Sequence, residues 1–126
     1  MGDRSQICMK DGDDEIFLYA HWAGTEVYND LAYALKHYGD SRGEDFEYLS
    51  RIVFSRMVRS CIDAETGYGI GVHRHDDIEH AIPVVWCDGS KRITWLPPDF
   101  GKQKLPDDCS FEEFIERADK GEYNDC

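Results

Sequence analysis

The pattern of apolar and polar residues at the start of the chain predicts a β-hairpin. Two runs rich in strand-forming residues, 5–10 and 15–22, flank the polar sequence DGDD at residues 11–14. Asp-Gly supplies the positive φ angle that tight hairpin turns demand, and β-branched and aromatic side chains favour the flanking strands. We therefore expect the two runs to pair as antiparallel strands.

Apolar residues in the next segment recur every three or four positions, which predicts two amphipathic helices. The first begins with Thr25 as a candidate N-cap, and Gly39 is expected to end it. Its apolar positions are Val27, Leu31, Ala34, Leu35 and Tyr38. Those of the second helix are Phe46, Leu49, Ile52, Val53, Met57 and Val58. The second helix also carries a basic face, formed by Arg51, Arg56 and Arg59. We interpret this face as a solvated, salt-bridged surface, and a functional anion site is the alternative.

The second half of the chain returns to strand patterns. Residues 67–72 are too rich in glycine for a helix, and residues 81–87 and 91–96 flank a second turn sequence, Asp88-Gly89-Ser90. The resulting order, β-β-α-α-β-β-β-α, does not alternate as a parallel α/β fold would. We expect an α+β fold, in which an antiparallel sheet of about five strands carries three helices mainly on one face.

The last predicted helix, at about residues 110–120, has the clearest local signature. Ser110 followed by Glu113 forms a capping box. Its buried stripe is expected to contain Phe111, Phe114, Ile115 and Ala118. The segment is also acidic, and its candidate partner-binding residues are Asp107, Asp108, Glu112, Glu113, Glu116 and Asp119. A solvated surface without a partner is the alternative interpretation.

The charge of the whole chain favours a basic partner. Twenty-six Asp and Glu residues against 14 Lys and Arg residues give a net charge of -12. Because such a chain repels polyanions, we expect no direct binding of nucleic acid and no binding to anionic membranes. Its complements are basic surfaces, including the nucleic-acid grooves of other proteins. The favoured hypothesis is a non-enzymatic interaction protein that binds and inhibits a basic host protein, acting as a DNA mimic.

Length and composition indicate one folded domain, residues 1–126. A hydrophobic content of 41% separates the chain from disordered acidic tails. It contains neither an apolar run long enough to span a membrane nor an apolar N-terminal signal, so we expect a cytoplasmic protein. The five cysteines lack the spacing of a disulfide framework and are expected to be reduced thiols.

Three histidines form a candidate metal site. On a strand, His73 and His75 would point to the same side, and His80 would complete a three-ligand set for zinc. The HxHxDH pattern of metallo-β-lactamase-like hydrolases is incomplete, because Asp77 is followed by Ile78 rather than by histidine. The chain contains no nucleophile elbow and no recognisable catalytic triad. We therefore favour a protein without cofactor or catalysis, and keep a zinc-dependent enzyme or binder as the alternative.

A third hypothesis is a protein that sequesters a small ligand. His21 and Trp22 end a predicted strand just before the first helix, where a ring nitrogen and an indole N–H can tie the turn together. Strand ends also commonly carry binding sites, and Tyr68 would face the same corner. A ligand pocket is therefore expected, if present, near His21, Trp22 and Tyr68.

Four segments carry a resemblance to a known group of proteins. They are residues 2–7, 18–25, 48–54 and 66–70, with the sequences GDRSQI, LYAHWAGT, YLSRIVF and TGYGI. Over about residues 1–87 the chain resembles a family of small, mostly uncharacterised proteins from bacteria, phages and prophages. The resemblance implies a phage setting, which favours a small inhibitor of host machinery. The family pattern does not feature the pair of His73 and His75, and the acidic helix lies outside the matching stretch.

Overall fold

The computed structural model describes residues 2–99 and 104–123, and the predicted N-terminal hairpin is confirmed. Strand β1 (Ser5–Asp11) pairs antiparallel with β2 (Asp14–Ala20). Gly12 and Asp13 form the connection, and Gly12 has a φ angle of 62°. Two-residue hairpin turns require such a left-handed value at their first position, and glycine adopts it without steric cost.

Within the described residues the sheet has six strands, one more than predicted. The others are β3 (Tyr68–Gly71), β4 (Ile82–Trp86), β5 (Arg92–Leu96) and β6 (Cys109–Ser110). Their order in the sheet is β3-β2-β1-β4-β5-β6. β1 and β4 are parallel, whereas all other neighbours, including the predicted β4–β5 hairpin, are antiparallel. β6 has two residues, which is too short for an alternating pattern to reveal.

In the part of the chain that the structure describes, three helices complete the fold: α1 (Glu26–Arg42), α2 (Phe46–Met57) and α3 (Phe111–Asp119). They contain 17, 12 and 9 residues. Within residues 2–99 and 104–123, no helix combines the length and the apolar character needed to cross a membrane. Apart from the added β6, the elements and their order are those predicted, and the α+β fold class is confirmed.

The prediction that Gly39 ends the first helix is wrong. α1 continues to Arg42, and Gly43 takes the C-cap position with a φ angle of -62°. Gly39 is buried, and a Cβ atom there would lie 3.6 Å from the ring of Phe111 in α3. A glycine within a helix costs about 1 kcal/mol relative to alanine, and the burial of the α1 side chains in the main core outweighs that cost. Tertiary contact therefore overrides the local stop signal.

The helices pack mainly on one face of the sheet, as predicted. Side chains alternate along a strand, so Ile7 of β1 faces the helices and Cys8 faces the opposite side. The main core joins Ile7 to all three helices, through residues that include Leu31, Leu49 and Phe114. On the opposite face, the loop at residues 72–81 inserts Ile78 against Cys8 and its neighbours. A loop, rather than a helix, covers that face.

Candidate functional site

The acidic side of α3 is built on an apolar anchor. Phe111, Phe114 and Ala118 are buried against the core, and Ser110 begins the helix with the predicted capping box. The Glu113 N–H donates to the Ser110 hydroxyl, and the Ser110 N–H donates to the Glu113 carboxylate, both at 3.0 Å. The capping box fixes where α3 begins, and the buried residues fix which side of the helix faces the core. Together they determine which side of α3 is exposed to solvent.

Three carboxylates form a line on the exposed side of α3, which we call the acidic stripe: Glu112, Glu116 and Asp119. Their spacing of four and three residues places them on one helix face. The other predicted partner-binding residues, Asp107, Asp108 and Glu113, are exposed as well. Glu113 differs from the rest because its carboxylate is engaged in the cap, which lowers its pKa. Five of the six predicted residues therefore have carboxylates outside the cap.

The acidic stripe has few cations near it. Among the described residues, the six predicted carboxylates make one salt bridge, between Asp119 Oδ2 and Lys36 Nζ at 4.0 Å. Both of these side chains are well exposed, so the pair contributes little. Arg117, on the same helix, donates instead to the Asp107 carbonyl at 3.2 Å. The charges of Glu112 and Glu116 are thus left to solvent or to a partner.

A second acidic surface lies at one end of the sheet, beside the turn between β1 and β2. Its carboxylates, which we call the acidic end, are Asp11, Asp14, Glu44, Asp45 and Glu47. They surround an open cavity of about 480 Å³ together with Ser41, Arg42 and Phe46. Burial, followed by the charge of Asp11, raises the pKa of the nearby Cys87 thiol to about 12. Sequence analysis missed this surface because its members come from two separate turns.

The N-terminal residues form a tightly bonded corner with the strand ends. We call Asp3, Arg4, Tyr19, His21 and His80 the N-terminal corner. Asp3 Oδ1 lies 2.5 Å from His80 Nε2, and the Asp3 N–H donates to the His21 carbonyl at 2.8 Å. Arg4 donates to the Asp77 carbonyl at 3.1 Å and forms salt bridges with Asp77 and Glu79.

The predicted ligand-pocket residues lie at the same corner but not on one face. His21 Nδ1 is 2.8 Å from the Tyr19 hydroxyl, and the His21 ring meets Trp22 edge-on. Tyr68 pairs across the strands with Ala20 and packs against the main core. Because neighbouring residues of a strand alternate, His21 and Tyr68 lie on opposite faces of the sheet. His21, Trp22 and Tyr68 do not line the cavities of about 480, 510 and 240 Å³ found among the described residues.

Two of the three predicted metal ligands, His75 and His80, have separate partners. β3 ends at Gly71, so the strand geometry that suggested a shared site for His73 and His75 is not present. The His75 ring stacks on Tyr19 at 4.1 Å, and His80 pairs with Asp3. Within residues 2–99 and 104–123, no group of three His, Cys, Asp or Glu side chains is placed to hold a metal ion.

His73 instead lines a cavity of about 510 Å³ on the face of the sheet opposite the helices. Trp86 lies in its wall, with Lys10 and Arg92 at 5.7 and 5.3 Å from the ring centre. Cys8 also contributes, but burial raises the pKa of its thiol to about 12. The cavity therefore lacks an ionised thiol nucleophile at neutral pH.

Two of the three arginines of the predicted basic face, Arg56 in α2 and Arg59 just after it, share one carboxylate of the same chain. Asp30 of α1 is nearly buried, and its Oδ1 lies 2.8 Å from Arg59 and 3.9 Å from Arg56. Burial raises the pKa of Asp30, although its hydrogen bond to Arg59 opposes the rise. Arg56 also lies over the Tyr33 ring, 3.7 Å from its centre. These contacts agree with the salt-bridged surface predicted for two of the three arginines.

The polar residues of the chain thus fall into two kinds. In the N-terminal corner and around Asp30, charged groups face partners from the same chain. On the acidic stripe and the acidic end, carboxylates outnumber the cations beside them. No protein-family model, curated protein or solved structure matches the chain, so function is inferred from these contacts.

Proposed function

We propose that this chain is a non-enzymatic interaction protein whose acidic surface binds a basic partner protein. The observation that carries the proposal is the acidic stripe of α3, where Glu112 and Glu116 are exposed and have no salt bridge within the described residues. Unpaired surface carboxylates attract a basic partner at long range. On binding, the cationic side chains of the partner replace the water around these carboxylates.

The spacing of the stripe supports a partner that normally binds nucleic acid. From Glu112 to Asp119 the helix rises by about 10 Å and presents three carboxylates, or about one per 5 Å. A single DNA strand presents one phosphate per about 3.4 Å of helix axis. The stripe therefore offers a similar line of negative charge, and a protein with a phosphate-binding groove is the class of partner that it fits. Binding there would exclude the nucleic acid.

The resemblance to bacterial, phage and prophage proteins supports the same proposal from a different direction. A phage-encoded inhibitor of a host nucleic-acid-binding protein would act in the bacterial cytoplasm. The segments that carry the resemblance build the hairpin, the corner and α2, whereas the acidic helix follows them in sequence. In this proposal the shared segments supply the scaffold, and α3 supplies the specificity for the partner.

The test is an affinity purification from nuclease-treated bacterial lysate, with four baits. The first bait is the wild-type chain. The second neutralises the acidic stripe and leaves the Glu113 cap intact: Glu112→Gln, Glu116→Gln and Asp119→Asn. The third neutralises part of the acidic end: Asp14→Asn, Glu44→Gln and Glu47→Gln. The fourth is a control that removes the same charge from exposed loop positions: Asp63→Asn, Glu65→Gln and Asp76→Asn.

Proteins retained at low salt and eluted at high salt are identified by mass spectrometry. The proposal predicts a basic protein that the wild type and the loop control retain and that the stripe variant loses. Loss from the acidic-end variant as well would extend the interface to that surface. Equal retention by all four baits, or no retained protein at either salt concentration, would count against the proposal.

A further inference from the structure

Among the strands that the structure describes, β3 lies at one edge of the sheet and has one neighbour, β2. The His21 N–H donates to the Gly67 carbonyl at 2.8 Å, so the residue just before β3 points its backbone groups toward β2. Paired residues alternate between hydrogen-bonded and non-hydrogen-bonded positions in an antiparallel ladder. The N–H and C=O groups of Tyr68 and Ile70 therefore point outward, away from β2.

Exposed apolar side chains follow this edge. The exposed fraction is 57% for Trp22, 60% for Ile70 and 64% for Val72. Trp22 lies against Gly67, since a Cβ atom there would be 2.9 Å from the indole ring. Edge strands are usually protected by lysine, proline, a bulge or a covering element, and the sequence YGIG of β3 contains no charged residue and no proline. The edge is open both to backbone pairing and to apolar contact.

An apolar groove runs beside the edge, between β2, β3 and α2. It has a volume of about 240 Å³. We call it the edge groove, and its apolar walls are formed by Ile16, Leu18, Phe46, Phe54 and Ile70. Leu18 and Ile70 are cross-strand partners, so the groove continues directly from the outward-facing backbone of β3. An added strand would place every second side chain against it.

We propose that β3 accepts an extended segment of a partner protein as a seventh strand, with apolar side chains at alternate positions in the edge groove. Backbone hydrogen bonds to Tyr68 and Ile70 would supply affinity, and the groove would select the side chains. The occupant is another protein rather than a second copy, because each copy carries a net charge of -12 and copies repel each other. This proposal does not depend on the acidic stripe.

The test uses two substitutions at one position. Ile70→Pro removes the outward N–H without removing a bond to β2, because proline is tolerated on an edge strand where its nitrogen faces solvent. Ile70→Val keeps the N–H and a similar side chain, and is the matched control. The probe is a phage-displayed library of nine-residue peptides, each with Val, Ile, Leu, Phe or Tyr at alternate positions. Enriched peptides are synthesised and titrated against wild type and both variants.

We expect enriched peptides to bind wild type and Ile70→Val equally, and Ile70→Pro about tenfold more weakly, the effect of losing one hydrogen bond. Binding should also slow hydrogen exchange at the Tyr68 and Ile70 amides of the wild type, a result that stands even if Ile70→Pro does not fold. No enriched peptide, equal binding to Ile70→Pro, or unchanged exchange at these amides would overturn the proposal. Self-association of the wild type that Ile70→Pro abolishes would assign the edge to a second copy, which also overturns it.

Discussion

The N-terminal corner and the acidic stripe are both rich in charged residues, yet their contacts differ. In the corner, Asp3 pairs with His80, and Arg4 reaches both Asp77 and Glu79. On α3, Glu112 and Glu116 have no salt bridge within the described residues. The first region uses its charges to join strand ends and a loop, whereas two of the three charges of the second have no salt bridge among the described residues.

This difference separates charges that stabilise the fold from charges that are available to a partner. Removing one member of a buried or half-buried ion pair destabilises the protein, because the remaining charge is then shielded from water without an opposite charge beside it. An exposed, unpaired carboxylate can be removed with little change in the free energy of unfolding. The stability of variants in the two regions tests this separation.

The largest effect is expected where α3 is anchored. Phe114 is fully buried in the main core. Phe114→Ala should lower the free energy of unfolding by about 3–5 kcal/mol, through lost burial and the cavity left behind. Tyr48→Ala removes an exposed aromatic side chain and should cost less than about 1 kcal/mol. Urea denaturation followed by circular dichroism measures both, and equal losses would mean that α3 is not anchored as described.

The next effect concerns the N-terminal corner. Arg4→Ala removes two salt bridges and a hydrogen bond to the Asp77 carbonyl, so we expect a loss of about 1–3 kcal/mol. Arg51 is the matched control because it is exposed and has no salt bridge among the described residues. Arg51→Ala should change stability by less than about 0.5 kcal/mol. If Arg4→Ala and Arg51→Ala change the free energy of unfolding equally, the contrast between the two regions is contradicted.

A smaller effect is expected at the start of α3. Ser110→Ala removes the hydroxyl that accepts the Glu113 N–H, and should cost about 1 kcal/mol. Ser55, which is exposed within α2, is the control. Ser55→Ala should be neutral or slightly stabilising, because alanine favours helix. Thermal unfolding of the two variants decides the point, and the same melting temperature for both would argue against the cap.

The pH dependence of Glu113 distinguishes it from its acidic neighbours. Its carboxylate accepts the Ser110 N–H, which lowers its pKa below the ordinary glutamate value. A carboxyl group with a lowered folded-state pKa stabilises the protein at neutral pH, and that contribution is lost as the pH falls through the lowered pKa.

The difference in stability between wild type and Glu113→Gln should therefore shrink between about pH 7 and about pH 3. Glu112→Gln is the control, because Glu112 takes no part in the capping box. Its difference from wild type should stay small throughout. Denaturant titrations across this range measure both differences, and a constant value for Glu113→Gln would be inconsistent with the cap.

The smallest effect on stability is expected for the acidic stripe itself. Neutralising Glu112, Glu116 and Asp119 together should change the free energy of unfolding by less than about 0.5 kcal/mol. The dipole effects oppose each other, because Glu112 in the first turn favours the helix dipole and Asp119 at the last position opposes it. Calorimetry of the triple variant tests this. A loss as large as that of Arg4→Ala would show that the stripe serves the fold.

Local signals in the sequence predicted the parts of the fold that depend on neighbouring residues. The Asp-Gly turn and the Ser110–Glu113 box each specify a conformation within a few residues, and both are present. Gly39 was mispredicted because it lies buried within α1, and packing of α1 in the core, rather than the local glycine signal, determines where the helix ends. β6 was missed because pairing with β5, and not its own sequence, makes it a strand.

The same distinction applies to the candidate site. The exposure of Glu112 and Glu116 follows from helical periodicity once Phe111 and Phe114 are placed in the core, so sequence sufficed. The acidic end could not be predicted, because it requires the hairpin turn and the α1–α2 connection to meet in space. The partners of His75 and His80 also come from the first strands and the N-terminal segment, which no local spacing indicates.

The central claim is that the acidic stripe binds a basic partner. Titration of the captured partner against wild type and the stripe variant, over a series of salt concentrations, tests it most directly. We predict that wild-type affinity falls steeply as salt increases, and that the stripe variant binds about tenfold more weakly at low salt and responds less to salt. Equal affinities for the two proteins, or binding that salt does not change, would contradict the claim.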